Sequence, residues 1–197
     1  AFSIFFTHSF VFRMTLLRPH VVSVPLFLFF LSALACKKSR SAGIFAGLFM
    51  LSYHAFYLPL IAIAAAMAFS FLEAEAEQKE IQKSCAYSLA GFFVGILINP
   101  YFPANVVMGW VHLQIPFLLN GSLKGVGFGM EAFPLNGPGL LKFFYLPFLI
   151  LAGILYFGRK WTFSLRFFFS MAVLFCLMAF QTVRAAEYFI PVSGFLL

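Results

Sequence analysis

The sequence predicts an all-α fold: a polytopic bundle of transmembrane helices with short and broken spans and one long external loop. Three observations predict it. Of the 197 residues, 63% are hydrophobic and 10% charged, with a mean hydropathy of +0.99; so little polar surface cannot cover a water-soluble globule. The apolar residues fall in runs of helical length, closed by basic or proline-containing turns. Residues 99–139 hold 7 of the 14 Gly and 5 of the 10 Pro, and Lys124 and Glu131 are their only charges. At roughly 20 residues per crossing, the chain can pass a membrane about six times.

The elements follow in order. Residues 1–19 are apolar but interrupted by His8, Arg13 and Arg18, as at the end of a span or in a segment lying in the interface. No basic stretch precedes them, so they do not read as a signal peptide, and the chain is expected to be a fragment of a longer polytopic protein, one transmembrane domain over residues 1–197. Residues 20–36 make the first clear span, and Lys37-Lys38-Ser39-Arg40 a tight basic turn. Residues 41–72 carry no charge. As one straight helix they would measure about 48 Å, against a hydrocarbon core of roughly 30 Å. Pro59 predicts a division into 41–58 and 60–72.

Residues 73–84 are the charge-dense stretch, and Glu75 and Lys79 at i,i+4 spacing predict a solvated helical linker. Residues 85–98 form a short span ending at Asn99-Pro100. Within the external 99–139 region, 104–119 is expected as an interfacial helix with Trp110 at headgroup depth. Spans at 140–158 and 162–183 follow, separated by the basic turn Arg159-Lys160.

Charge sets the orientation. With 41–72 broken, Lys37, Lys38, Arg40, Lys79, Lys83, Arg159, Lys160 and Arg166 lie inside, eight against the five of Arg13, Arg18, Lys124, Lys142 and Arg184. As a single crossing the run would give six inside and seven outside. Cytoplasmic loops carry the excess of Lys and Arg, which favours the broken run and an external loop. The net charge of +7 is therefore topogenic and does not point to nucleic acid. The 31 Phe are read as membrane packing. Cys36, Cys85 and Cys176 show no metal-ligand spacing, and no metal site is assigned.

Several residues are candidates for chemistry. Asn99-Pro100-Tyr101-Phe102-Pro103-Ala104-Asn105 closes a span with two prolines in four residues, either a helix stop or the rigid rim of a substrate cleft. Gly125-Val126-Gly127-Phe128-Gly129 is no dinucleotide fingerprint, because the third Gly would fall on Met130; it reads as a spacer or a flexible loop over a ligand. Arg184 and Glu187 at i,i+3, followed by Tyr188, are either a local ion pair or an anion site in which the guanidinium holds phosphate. Arg13, Arg18 and His20 are expected at the same external level. His54 is the ionisable group of an otherwise apolar run. His112 and Glu131 are loop residues capable of proton transfer.

Short, broken spans, a long external loop, the string Asn99-Pro100-Tyr101-Phe102-Pro103 and a span running into Arg184-Ala185-Ala186-Glu187-Tyr188 resemble the GT-C superfamily of polytopic glycosyltransferases. Those enzymes take sugars from polyprenyl-phosphate carriers at the external or luminal face. The resemblance implies a multi-pass protein of a bacterial inner membrane that binds membrane lipids and a polyprenyl-phosphate-linked sugar. Arg184, Arg13, Arg18 and His20 would hold phosphate; Asn99, Tyr101, Asn105, Glu187 and Tyr188 would line the cleft; Glu131 or His112 would assist catalysis. The superfamily's acidic signature lies in the first external loop. This sequence has no Asp, so that signature, with any divalent metal it binds, is expected upstream of Ala1. No other cofactor is implied. A transporter or channel-like protein, or a non-catalytic membrane subunit, is the alternative.

Overall fold

A computed structural model describes residues 20–118, 152, 161–179 and 186–194. All the regular structure among them is helical: α1 His20–Ala35, α2 Ser39–Ser52, α3 Tyr57–Ser70, α4 Glu75–Ile98, α5 Ala104–Leu118, α6 Phe163–Ala179 and α7 Ala186–Gly194. The chain divides into two compact units, one of Arg18–Leu113 and one of Ala1–Leu17 with Gln114–Leu197. The expected span at 140–158, the turn Arg159-Lys160, the segment 1–19, loop residues 119–139 and the last residues of the expected span 162–183 lie outside the described residues, Ala152 apart.

In the first unit, α1 ends on two crossed backbone bonds. Lys38 N–H reaches Ala33 O (2.8 Å) and Lys37 N–H reaches Leu34 O (3.1 Å). This pairing needs a left-handed residue just past the helix, and Lys37 takes that role at φ 59°, where Gly is usual. Its ammonium then meets Glu77 at 2.8 Å, tying the basic turn to the first turn of α4.

The uncharged run divides, but not at Pro59. The break is Tyr53–Phe56, and Pro59 sits in the first turn of α3. A proline there loses little, because the first N–H groups of a helix lack an intrahelical partner anyway. The correction also moves His54: it lies in the turn, half-buried, with its ring 4.6 Å from that of Tyr53, and not within a helix.

The charged linker and the following span are one helix, α4. Its first turn carries Glu75 and Glu77, favourable beside the N-terminal dipole, and Lys79 Nζ meets Glu75 at 2.6 Å. Such an exposed i,i+4 pair contributes only about 0.3–0.5 kcal/mol. Continuity comes instead from burial: Ile81, Ser84 and Cys85 already face the core. Of the described helices, α4 is the one long and apolar enough to cross a membrane; Val22–Ala35, Tyr57–Ser70 and Phe163–Met178 are apolar but shorter.

The core of this unit is aromatic and small by turns. Phe27, Phe30 and Leu31 of α1 are fully buried, and Phe27 packs on Phe49 of α2 with ring centroids 5.3 Å apart. Ala62, Ile63 and Ala66 present the buried face of α3, where Cys85 Sγ donates to Ile63 O at 3.8 Å. Ser39 of α2 meets Ser84 of α4 (Oγ–Oγ 3.0 Å), and Asn99, just past α4, reaches Met50 O near the end of α2. Those pairings make α2 and α4 parallel, with α3 returning between their ends.

In the second unit, α6 and α7 pack on one another. Thr162 Oγ1 accepts from Leu165 N–H, capping α6, and Phe175 stacks on Tyr188 with centroids 5.6 Å apart.

Candidate functional site

The α2–α4 contact rests on four glycines. Gly43 and Gly47 on α2, and Gly91 and Gly95 on α4, lie on the facing surfaces. Each helix thus carries a Gly-x-x-x-Gly pair, the spacing that puts two residues one above the other and lets backbones approach closely. A Cβ on Gly91 would run into the Gly43 carbonyl oxygen; one on Gly95 would lie 2.5 Å from Gly47 O, one on Gly43 2.7 Å from Tyr87 O, and one on Gly47 3.0 Å from Gly91 O. Backbone meets backbone along this seam.

The parallel arrangement sorts charge by end. Between residues 20 and 113 the charged side chains are Lys37, Lys38, Arg40, Glu73, Glu75, Glu77, Lys79, Glu80 and Lys83, and all lie at the end where α1 passes to α2 and α3 to α4. The opposite end holds the Tyr53–Phe56 turn and the Asn99–Asn105 corner, and among the described residues has no Lys, Arg, Asp or Glu.

At this uncharged end, Asn99 closes α2. The last four carbonyls of a helix need partners from elsewhere. Phe49 O accepts from Tyr53 N–H at 2.8 Å and from Ser52 Oγ at 2.9 Å. Asn99 Nδ2 donates to Met50 O at 2.8 Å and, more weakly, to Leu51 O at 3.4 Å. Its Oδ1 accepts from Tyr101 N–H at 2.9 Å, which folds the chain back into the Phe102–Pro103 cis turn. Asn99, expected in the cleft lining, therefore has its amide committed to the backbone.

Asn105 stands next along the corner. Its Oδ1 accepts from Val106 N–H at 2.9 Å, but Nδ2 is buried with no hydrogen-bond partner among the described residues. Gly109, one turn further on α5, lets that helix press onto the His54 carbonyl and the Phe56 ring. Tyr101 is 74% exposed, at the lip of the corner. The sequence-predicted residues Asn99, Tyr101 and Asn105 thus come together with His54 nearby.

The other predicted site residues do not join them here. Arg13, Arg18, Glu131 and Arg184 lie outside the described residues. The backbones of His20, His112 and Glu187 are in α1, α5 and α7, but their side chains lie outside the described set. Tyr188 is buried against Phe175 in the second unit. Among the described residues, no three His, Cys, Asp or Glu side chains gather at a point where a metal ion could be held.

Sequence reasoning missed the glycine seam, although Gly43-Ile44-Phe45-Ala46-Gly47 and Gly91-Phe92-Phe93-Val94-Gly95 print the spacing twice. It also missed the polar recess at the charged end, about 310 Å³, bordered by Lys38, Ser39, Arg40, Ser41, Lys83 and Tyr87. Compared with protein-family models, with curated proteins and with solved structures, the chain matches none of them.

Proposed function

We propose that this is a multi-pass protein of a bacterial inner (plasma) membrane, with the charged end of its first unit on the cytoplasmic side, and that it takes part in moving a sugar from a polyprenyl-phosphate donor at the external face. The observation that carries the reading is the segregation of charge: every cation of residues 20–113 sits at one end of the helices, as the positive-inside rule requires of inserted helices. The helices other than α4 are short, which a membrane accommodates by local thinning at modest cost. The uncharged end then faces outward and bears a corner where Asn105 Nδ2 is buried without a hydrogen-bond partner among the described residues. A buried donor without a partner costs free energy until a ligand oxygen meets it.

In this reading Arg184 holds the donor phosphate. Phosphate is the leaving group, so fixed positive charge beside it stabilises the transition state more than the ground state. Tyr101 and Asn105 shape the acceptor cleft at the corner that Asn99 holds, and Glu131 or His112 assists proton transfer. A divalent metal would depend on acidic residues outside this sequence.

Two tests separate the topology from the activity. Cys36 is exposed at the charged end, whereas Cys85 and Cys176 are buried. A membrane-impermeant maleimide should modify Cys36 in inverted vesicles and leave it untouched in intact cells; the reverse pattern overturns the orientation. For the activity, Arg184→Ala should lower transfer of labelled sugar from a polyprenyl-phosphate donor in reconstituted membranes by roughly 10²-fold, with unchanged membrane yield. Transfer at the unaltered rate would remove Arg184 from the site.

A further inference from the structure

The glycine seam leaves an open furrow on the outer side of α2 and α4, and its two ends differ in chemistry. The furrow encloses about 600 Å³ and its walls are apolar: Ile44, Leu48 and Leu51 from α2, Val94 and Ile98 from α4. Ile44 and Ile98 are 61% and 66% exposed, so these side chains flank the furrow without filling it. Its floor is the four glycines, which offer no side chain to close it. At the charged end, Arg40 and Tyr87 border both this furrow and the polar recess that holds Lys38 and Lys83. Of the four carboxylates at this end, Glu77 pairs with Lys37 and Glu75 with Lys79, and neither Glu73 nor Glu80 pairs with Lys38, Arg40 or Lys83 among the described residues. Among the described residues, Lys38, Arg40 and Lys83 have no ion-pair partner.

We propose that the α2–α4 furrow and the Lys38–Arg40–Lys83 recess together bind one anionic phospholipid of the cytoplasmic leaflet, its phosphate among the cations and an acyl chain along the glycine floor. The site rests on the membrane insertion proposed above and is independent of sugar transfer. Charge complementarity selects the occupant: three cations without an ion pair among the described residues call for an anion, and the continuous apolar furrow beside them calls for that anion to carry a hydrocarbon chain. Length agrees. From Arg40 to Leu51 the furrow runs about 16 Å at 1.5 Å per residue, and half of a hydrocarbon core of roughly 30 Å is about 15 Å. Ser39 and Ser41 add hydroxyls at the recess, and the Tyr87 ring, 45% exposed, lies at the level where amphipathic rings meet headgroups. Basic recesses between helices on the cytoplasmic side are the general form of such headgroup sites.

The test is a lipid titration of the full chain in nonionic detergent, read by native mass spectrometry. Phosphatidylglycerol should remain bound at concentrations where phosphatidylcholine is lost. Arg40→Gln with Lys83→Gln, both exposed positions, should weaken phosphatidylglycerol binding roughly 30-fold while leaving the thermal midpoint in phosphatidylcholine unchanged. Leu48→Lys should weaken it too, by placing a charge against the acyl chain. Equal retention of the two lipids, or an unaltered affinity in the double variant, overturns the proposal. So does full occupancy by glycerol phosphate alone, which would make the recess a site for free phosphate esters, or a lipid-indifferent dimer, which would give the furrow to a second copy. Insertion is read separately: a chain released from membranes by alkaline washing fails the membrane reading before any lipid is added.

Discussion

Gly91→Ala is expected to be among the most damaging single-methyl additions in the first unit. The new Cβ would fall on the Gly43 carbonyl oxygen. Neither partner can rotate away, because both belong to hydrogen-bonded helical backbone, so α2 and α4 must separate along their length. Overpacking a core by a methylene usually costs about 1–3 kcal/mol; with rigid backbone on both sides the expected loss is about 3 kcal/mol or more. The contacts of Ser39 with Ser84 and of Asn99 with Met50 flank the seam and would lengthen with it. The four glycines also predict an order. Gly91→Ala should be worst. Gly95→Ala, whose Cβ would lie 2.5 Å from Gly47 O and 2.9 Å from Met50 Cβ, and Gly43→Ala, 2.7 Å from Tyr87 O, should follow. Gly47→Ala, 3.0 Å from Gly91 O, should be mildest. Thermal midpoints of the four variants in one detergent read this order directly. A Gly47→Ala loss equal to that of Gly91→Ala would mean that the helices do not meet on this seam.

Much of the first unit was legible because long apolar runs bounded by charges or prolines announce helices by their length. Residues 20–36, expected as a first span, form the apolar helix α1, His20–Ala35, shorter than a full crossing needs. Dividing the 41–72 run followed from its length alone. The position of the division did not, since proline is a strong signal for a break only where it would remove an intrahelical bond, and Pro59 lies in a first turn. Residues 73–84 were rightly read as helical. Their continuity with 85–98 depends on Ile81 and Cys85 finding a core, which no local pattern states. Residues 104–119, expected as an interfacial helix, are helical over Ala104–Leu118 as α5.

The candidate site was legible in composition but not in assignment. Two prolines and two asparagines in seven residues mark a corner, and a corner is there. Which asparagine's Nδ2 closes a helix depends on where α2 ends, 48 and 49 residues earlier for the two carbonyls that Asn99 reaches. That information is tertiary. The Gly-x-x-x-Gly pairs needed only a comparison of two segments for the same spacing, and the bias toward reading glycine as loop material in 99–139 drew attention from the glycines inside helices. Charge sorting was legible in sign and becomes sharper in three dimensions, because the parallel pairing of α2 and α4 brings Arg40 and Lys83 to one level.

Asn99→Asp is the most discriminating change at the uncharged end. The two side chains are nearly the same size, and the carboxylate keeps the acceptor that Tyr101 N–H uses. What it loses is Nδ2, and with it the donor to Met50 O and Leu51 O. A carboxylate oxygen in that place faces two carbonyl oxygens, so an attraction becomes a repulsion. Most of the effect belongs to the 2.8 Å bond to Met50 O, since the 3.4 Å contact with Leu51 O is weak. An unpaired buried carbonyl costs about 1–3 kcal/mol, and near hydrocarbon no water replaces the lost donor. Asn99→Ala should therefore cost about 2–3 kcal/mol, and Asn99→Asp more than that. Asn99→Gln, which keeps the amide on a longer stem, should recover part of the loss. The local consequence is fraying of the last turn of α2 and release of the corner that positions Tyr101 and Asn105. Proteolysis at residues 99–105 from the external side should accelerate in the order Gln, Ala, Asp, alongside the fall in thermal midpoint. An Asn99→Asp protein as stable as the parent would show that the α2 terminus draws its partners from elsewhere, and the corner would lose its claim to a fixed geometry.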